Sequence, residues 1–289
     1  MFSAADLIHN LIDWRYKIDD SQVLNNSQPP EEGETAVAVE FLSIFQQMKV
    51  RAFPENGCVD YALLRRSSIF AAYKQLSHNF QRFSAAELKT HEEKLAFWIN
   101  LYNALIIDAI ISFDIKKSVN DIPGFFWKAA YNIGGHLFSA SDIEFGILRA
   151  NAGHPAIPGP HFGPDDPRRA YSLSSVDPRI HFAMVCASYS CPPLRVYSPQ
   201  DVAQQLDLAA RDFIDKKGIE IDLDKKRVSL SKIFSWYAPD FGGPWLGIGD
   251  MRPVLKYISN YIDDPKKKSF LLNGDPRVKL LSYDWALNQ

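Results

Sequence analysis

The chain has 289 residues, 46% hydrophobic and 13% aromatic, enough for one large core or two modest ones. Its net charge of -2 comes from interspersed acidic and basic residues, which excludes the strongly basic pattern of a nucleic-acid or membrane-surface binder. Three cysteines exclude a disulfide scaffold, so a reducing cytoplasm is the expected setting.

Residues 1–20 read as a short amphipathic helix without the basic region and apolar core of an export signal. The polar, proline-bearing stretch 21–35 reads as a linker. A helical arm and linker are therefore expected over 1–50, and the main domain over 51–289. Helical spacing over 36–48 puts Val37, Phe41, Ile44, Phe45 and Met48 on one face. Residues 59–76 read as one further helix, and Ser84 to Glu87 fits a capping box.

The stretch Glu92 to Ile110, EEKLAFWINLYNALIIDAI, is apolar on every side and should lie inside the domain. At ~100° per residue, Glu93 and Asn100 share a face, with Asn103 close by. Polar groups carried inside must be hydrogen-bonded. They are either a network that fixes docking or one wall of a site. No apolar run is expected to be long and charge-free enough to span a bilayer.

Phe125, Phe126 and Trp127 form an aromatic turn that would suit a protein partner. Tyr131 to Ile133, Gly134-Gly135 and His136 to Phe138 spell a β-hairpin. Ser139 with Asp142, or Ser141 with Glu144, can cap a helix running through Arg149. Residues 151–170 are an irregular excursion whose His154 and His161 read as exposed. Ile180 to Ala187 is the expected buried strand. A helix over 198–215, a hairpin around Asp224-Lys225, a helical region over 251–262 and a strand-like tail complete an α+β pattern. It is a single, mainly helical domain with a small antiparallel sheet.

Cys186 and Cys191 are the candidate nucleophiles, and either needs a base. On a strand, His181 would lie ~16 Å from Cys186 on the opposite face, although Cys191 can fold back toward it. His136, leaving the Gly-Gly turn, is then the expected base for Cys186. Glu93, Asn103 or Glu144 would orient it, and backbone NH groups near Ala187 and Ser188 would receive an oxyanion. Two Asp-Pro-Arg triplets offer arginines, with Arg179 either paired to acid or binding a substrate carboxylate or phosphate. Trp236, Tyr237, Asp240 and Phe241 form an aromatic patch with one acid, read as core. Phosphate-loop, serine-elbow and zinc-peptidase motifs are absent; no metal or other cofactor is expected.

EKLAFWINLYNALIIDAI, GGHLFSASDIEFGILRAN, DPRIHFAMVCASYSCPPLRVY, KIFSWYAPDFG and YDWALN occur in an order that resembles the domain-of-unknown-function 547 family, from about Val59 onward. The resemblance points to Glu93, Lys94, Trp98, Asn100, Tyr102 and Asn103. It also points to His136, Glu144, Arg149, Asp177, Pro178, Phe182, Cys186 and Ser188, and favours Cys186 over Cys191. Phe145 departs from it, since many bacterial members carry histidine there. A distant relation to papain- or transglutaminase-like folds would set the nucleophile on the central helix, which here has no cysteine. The expected function is a cysteine-dependent hydrolase or acyl transferase. The alternative is a non-catalytic module that binds a peptide or small ligand, with Asn100, Tyr102, Trp98, Ser188, Arg149, Arg179 and His181 as recognition groups.

Overall fold

The computed structural model describes Leu11, Arg15 and residues 17–19, 22–26, 37–52 and 58–289. The expected N-terminal helix and most of the polar arm lie outside the described residues. Helix α1, Val37–Ala52, buries Phe41, Phe45, Met48 and Ala52 along one stripe, as its spacing requires. The helix expected over 59–76 is two helices, α2 (Tyr61–Arg65) and α3 (Ser68–Ser77). Ser67 divides them: its backbone is extended and its hydroxyl accepts from Phe70 N–H, starting a new helix.

Ser84 and Glu87 do form a capping box, on a single 3₁₀ turn (Ala85–Glu87). The central helix α4, His91–Ser112, has its own box, made by Thr90 and Glu93. Every residue from Leu95 to Ile111 is buried. Each large aliphatic there contributes about 1.5–3 kcal/mol of burial, which outweighs the weak helix propensity of its isoleucines. By length and composition α4 could cross a membrane, contrary to the sequence expectation, but 94% of its apolar window is buried within the protein. Asp108, deep in α4, is bonded by Lys74 Nζ (2.7 Å), Tyr131 Oη (2.8 Å) and Ser112 Oγ (2.7 Å). That cluster ties α4 to α3 and to the hairpin.

A short helix α5 (Phe125–Lys128) leads into β1 (Ala130–Ile133) and β2 (His136–Ser139), antiparallel around Gly134-Gly135. Both glycines have positive φ (59° and 80°), the turn that strand twist favours. Ser139 and Asp142 exchange capping bonds, and Asp142–Leu148 then winds as a π-helix, every residue of it buried. The excursion after it is pinned. The side chain of His161 is enclosed, with its Nε2 2.8 Å from Asp142 Oδ1, and His154 is half-buried, so neither is the exposed loop histidine expected.

The buried strand expected over 180–187 is absent. Asp177 caps a 3₁₀ turn (Pro178–Phe182), with proline at its first position, and irregular chain follows. A second apolar cluster gathers α6 (Val202–Phe213), β3 (Ile219–Asp222), β4 (Arg227–Leu230), α7 (Ile233–Trp236) and α8 (Arg252–Ser259). A further helix, α9 (Pro265–Asn273), precedes β5 (Arg277–Leu280) and was not read from the sequence. Strand β4 pairs antiparallel with β3 and parallel with β5. The domain is thus mainly helical α+β with little sheet.

Candidate functional site

Segment 183–197 is mostly buried, apart from the exposed Tyr189, and has no regular structure, so its enclosed backbone groups need partners. Asn103 supplies two: its Nδ2 donates to Ala183 O (3.0 Å) and its Oδ1 accepts from Val185 N–H (2.8 Å). Asn100 does the same for Tyr197, donating to its O (2.7 Å) and accepting from its N–H (3.0 Å). The two amides replace the neighbouring strand that this stretch lacks. From the other side, the C-terminal tail is laid along the loop, with Tyr189 N–H on Ala286 O and Asn288 N–H on Ala187 O.

Between these clamps sits Cys186, half-buried. Its Sγ lies 3.0 Å from Ser188 Oγ and 3.1 Å from Tyr283 Oη. The chain turns back through Ala187, which has a left-handed φ of 59°, so that Cys191 Sγ accepts the Cys186 N–H at 2.8 Å. The neighbouring Cys191 side chain, helped by Ser188 and Tyr283, outweighs burial and brings the Cys186 thiol down to about 6. Burial and the facing sulfur push Cys191 the other way. Of the two thiols, Cys186 is therefore the more acidic.

A second polar chain approaches from the aromatic patch of the second cluster. Arg149 grips Asp240 with Nε and Nη2 (2.7 and 2.6 Å), and His181 Nε2 lies 2.7 Å from the same carboxylate. Burial would raise Asp240; its bonds to Arg149 and His181 prevail and hold the carboxyl far below the usual range. An ionised Asp240 makes Nε2 the donor and leaves Nδ1 of a neutral ring as acceptor. That Nδ1 is buried and has no partner among the described residues. The imidazole stacks on Tyr237 at 3.9 Å between centroids. Tyr237 and Tyr102 both donate to Glu144, yet burial still raises that carboxyl.

Both chains open on one cavity of about 410 Å³, lined by Tyr102, Glu144, His181, Cys186 and Cys191 among others. Trp127, Phe145 and His154 form one wall; Trp236, Tyr283 and Trp285 form another. No Lys or Arg lines it among the described residues. Among the described residues, no group of three or more His, Cys, Asp or Glu is placed to hold a metal.

Of the sequence candidates, Cys186, Glu144, Tyr102 and His181 meet here, and Ser188 touches the Cys186 sulfur. With no strand between them, His181 and Cys186 need not point apart. Arg149 stands behind Asp240. His136 is not brought to the cavity: it opens β2 opposite Ile133, beside the glycine turn. Glu93 caps α4, accepting from Lys89 and Thr90 N–H, bonds that lower its carboxyl. Asn100 and Asn103 face backbone. Trp98 is core, edge-on to Tyr171 at 5.7 Å. Arg179 binds Asp177 and donates to Ala203 O. Phe125 is core, whereas Phe126 and Trp127 line the cavity. Asp240, Tyr237 and Tyr283 were missed as functional groups; the one signal for the first two was an acid inside an aromatic run.

Residues 85–214 match the model of a family described as Protein of unknown function, DUF547, so the resemblance read from the motifs holds over that stretch. It contains Tyr102, Glu144, His181 and Cys186; Asp240 and Tyr283 lie beyond it. No curated protein and no solved structure matches the chain.

Proposed function

We propose, for a chain whose residues 85–214 belong to the DUF547 family, that the cavity performs cysteine-dependent acyl transfer or hydrolysis. The observation that carries this reading is the meeting, on one cavity, of a thiol whose neighbours lower its pKa with an imidazole that Asp240 orients through one nitrogen and leaves without a partner at the other. Cys186 attacks the acyl carbon and forms a thioester. His181, in place of His136, is the proton carrier: with a proton taken up from solvent at Nδ1 it protonates the departing alcohol or amine, and the neutral ring then takes a proton from the water or acceptor that cleaves the thioester, which restores the protonated ring and the thiolate. Asp240 holds the ring's tautomer, and Arg149 is a positioning residue that holds Asp240. Aromatic walls without a cation suit an apolar, uncharged acyl group better than a phosphate or carboxylate.

The test is alkylation of Cys186 against pH, read by mass spectrometry on native protein. Its rate should rise with an inflection near about 6, where an ordinary thiol shows ~8.5. A panel of apolar esters and amides should then be turned over, with Cys186→Ala and His181→Ala both inactive. Because its neighbours and not His181 set the thiol, His181→Ala should keep the inflection. A Cys186 inert until the protein unfolds would sink the reading. The second reading, a binding module in the same cavity, would then stand on Glu144, a raised carboxyl set among aromatic rings.

A further inference from the structure

Cys191 has no role in the acyl-transfer steps, yet it folds back onto the residue that does. The turn from Cys186 to Cys191 closes with Cys191 N–H on Ser188 O (3.0 Å), which carries Cys191 Sγ to 2.8 Å from Cys186 N. Both thiols are free. The turn's flanks are fixed by the asparagine amides at Ala183, Val185 and Tyr197. Lys217 Nζ pins the turn again through Tyr189 O and Cys191 O. The sulfurs are therefore held as neighbours by contacts other than their own. The remaining cysteine, Cys58, is exposed and lies in another part of the chain.

We infer that Cys186 and Cys191 are a dithiol that a hydroperoxide converts to an intraloop disulfide, blocking the nucleophile until a thiol reductant restores it. The inference rests on the reading of Cys186 as a stabilised thiolate, and on no step of acyl transfer. In the first step the Cys186 thiolate attacks the terminal peroxide oxygen. The O–O bond breaks, leaving a sulfenic acid on Cys186 and an alkoxide, or hydroxide, that takes a proton from solvent. In the second, Cys191 sulfur attacks the sulfenic sulfur. The S–O bond breaks, the departing hydroxide takes the Cys191 proton and leaves as water, and the S–S bond forms. Two electrons pass from the thiols to the peroxide. The arrangement divides the labour: the half-buried sulfur meets the oxidant, and the buried one resolves it.

The experiment treats the reduced full-length chain with hydrogen peroxide and maps the tryptic peptide 180–195, which contains both cysteines. The expected result is loss of two hydrogens, loss of alkylation at both positions, and full recovery with dithiothreitol. Cys191→Ser should instead gain one oxygen on Cys186, captured by dimedone. Cys186→Ser should leave Cys191 a free thiol at the same dose. A wild-type peptide that keeps two alkylatable thiols while exposed Cys58 oxidises would overturn the inference. So would one that gains oxygen without losing hydrogens. The readout is a mass, so a chain that turns over no ester can still pass, and an active one can still fail.

Discussion

Asn100 and Asn103 on the central helix and the Arg149–Asp240–His181 chain are both buried polar sets that grip the segment around Cys186, and they end differently. The asparagines close every bond on backbone, at Ala183, Val185 and Tyr197. The second set runs from a guanidinium through a carboxylate to an imidazole nitrogen with no partner, beside a cavity. Burial alone does not separate them, since all five side chains are almost fully enclosed or line the cavity floor. What separates them is whether the hydrogen-bond chain terminates inside the protein or at a space that a ligand can enter.

The largest expected effect tests the open-ended set. Asp240→Asn keeps the shape but no longer enforces the donor nitrogen of His181, so turnover should fall about a thousandfold, or ~4 kcal/mol of barrier. The inflection of Cys186 alkylation should stay near about 6, because Asp240 is not among the groups that set it. A fall of less than about tenfold would place the His181–Asp240 pair with the asparagines, as structure only.

Next comes the closed set. Asn103→Ala leaves Ala183 O and Val185 N–H without their side-chain partner in a buried place. Each such orphan costs ~1–3 kcal/mol, so the denaturation free energy should drop by about 3 kcal/mol. An equal loss of activity per folded molecule is not expected if the thiol keeps its own neighbours, Ser188, Tyr283 and Cys191. Urea unfolding paired with alkylation of the folded fraction separates the two effects.

The same contrast explains what could be read from residues in order. The central helix was legible because its cause is local, an unbroken apolar run; the Thr90–Glu93 box that opens it was not read, and Glu93 was taken for a site residue instead. The hairpin was legible because two glycines permit only a tight turn. Cys186 was named as a candidate from its residue type, a thiol able to act as nucleophile, and Glu144 as an acid able to orient a base. The strand expected over 180–187 failed because apolar alternation cannot reveal that Asn103, eighty residues upstream of Ala183, supplies the missing ladder bonds. With that strand went the reason for preferring His136. Partnership of His181 with Asp240, fifty-nine residues later, has no periodic signature at all. Acids and histidines that meet across two apolar clusters are invisible until the clusters are packed.

The smallest effect concerns Glu144, which sits between the two sets: its carboxylate is bonded by Tyr102 and Tyr237, yet it faces the cavity. Burial raises its folded-state pKa above the unfolded value of ~4.3, and the two phenols with His181 and Arg149 only partly offset this. A raised carboxyl binds more protons folded than unfolded. Its contribution is therefore fully present below pH ~4.3 and is lost as pH rises through the folded value. Asp240 runs the opposite way: its depressed carboxyl stabilises the fold above the unfolded value of ~3.9 and loses that as acid titrates it. In Glu144→Gln the first slope disappears. The difference in unfolding free energy between variant and wild type should move in the variant's favour as pH rises from ~4.3 toward neutrality, while the acid limb set by Asp240 stays. Urea titrations at several pH values read this directly. A gap that is flat with pH would mean that Tyr102 and Tyr237 satisfy Glu144 as completely as backbone satisfies the asparagines. Glu144 would then belong to the closed set, and the cavity floor would have no carboxyl in reserve for a ligand.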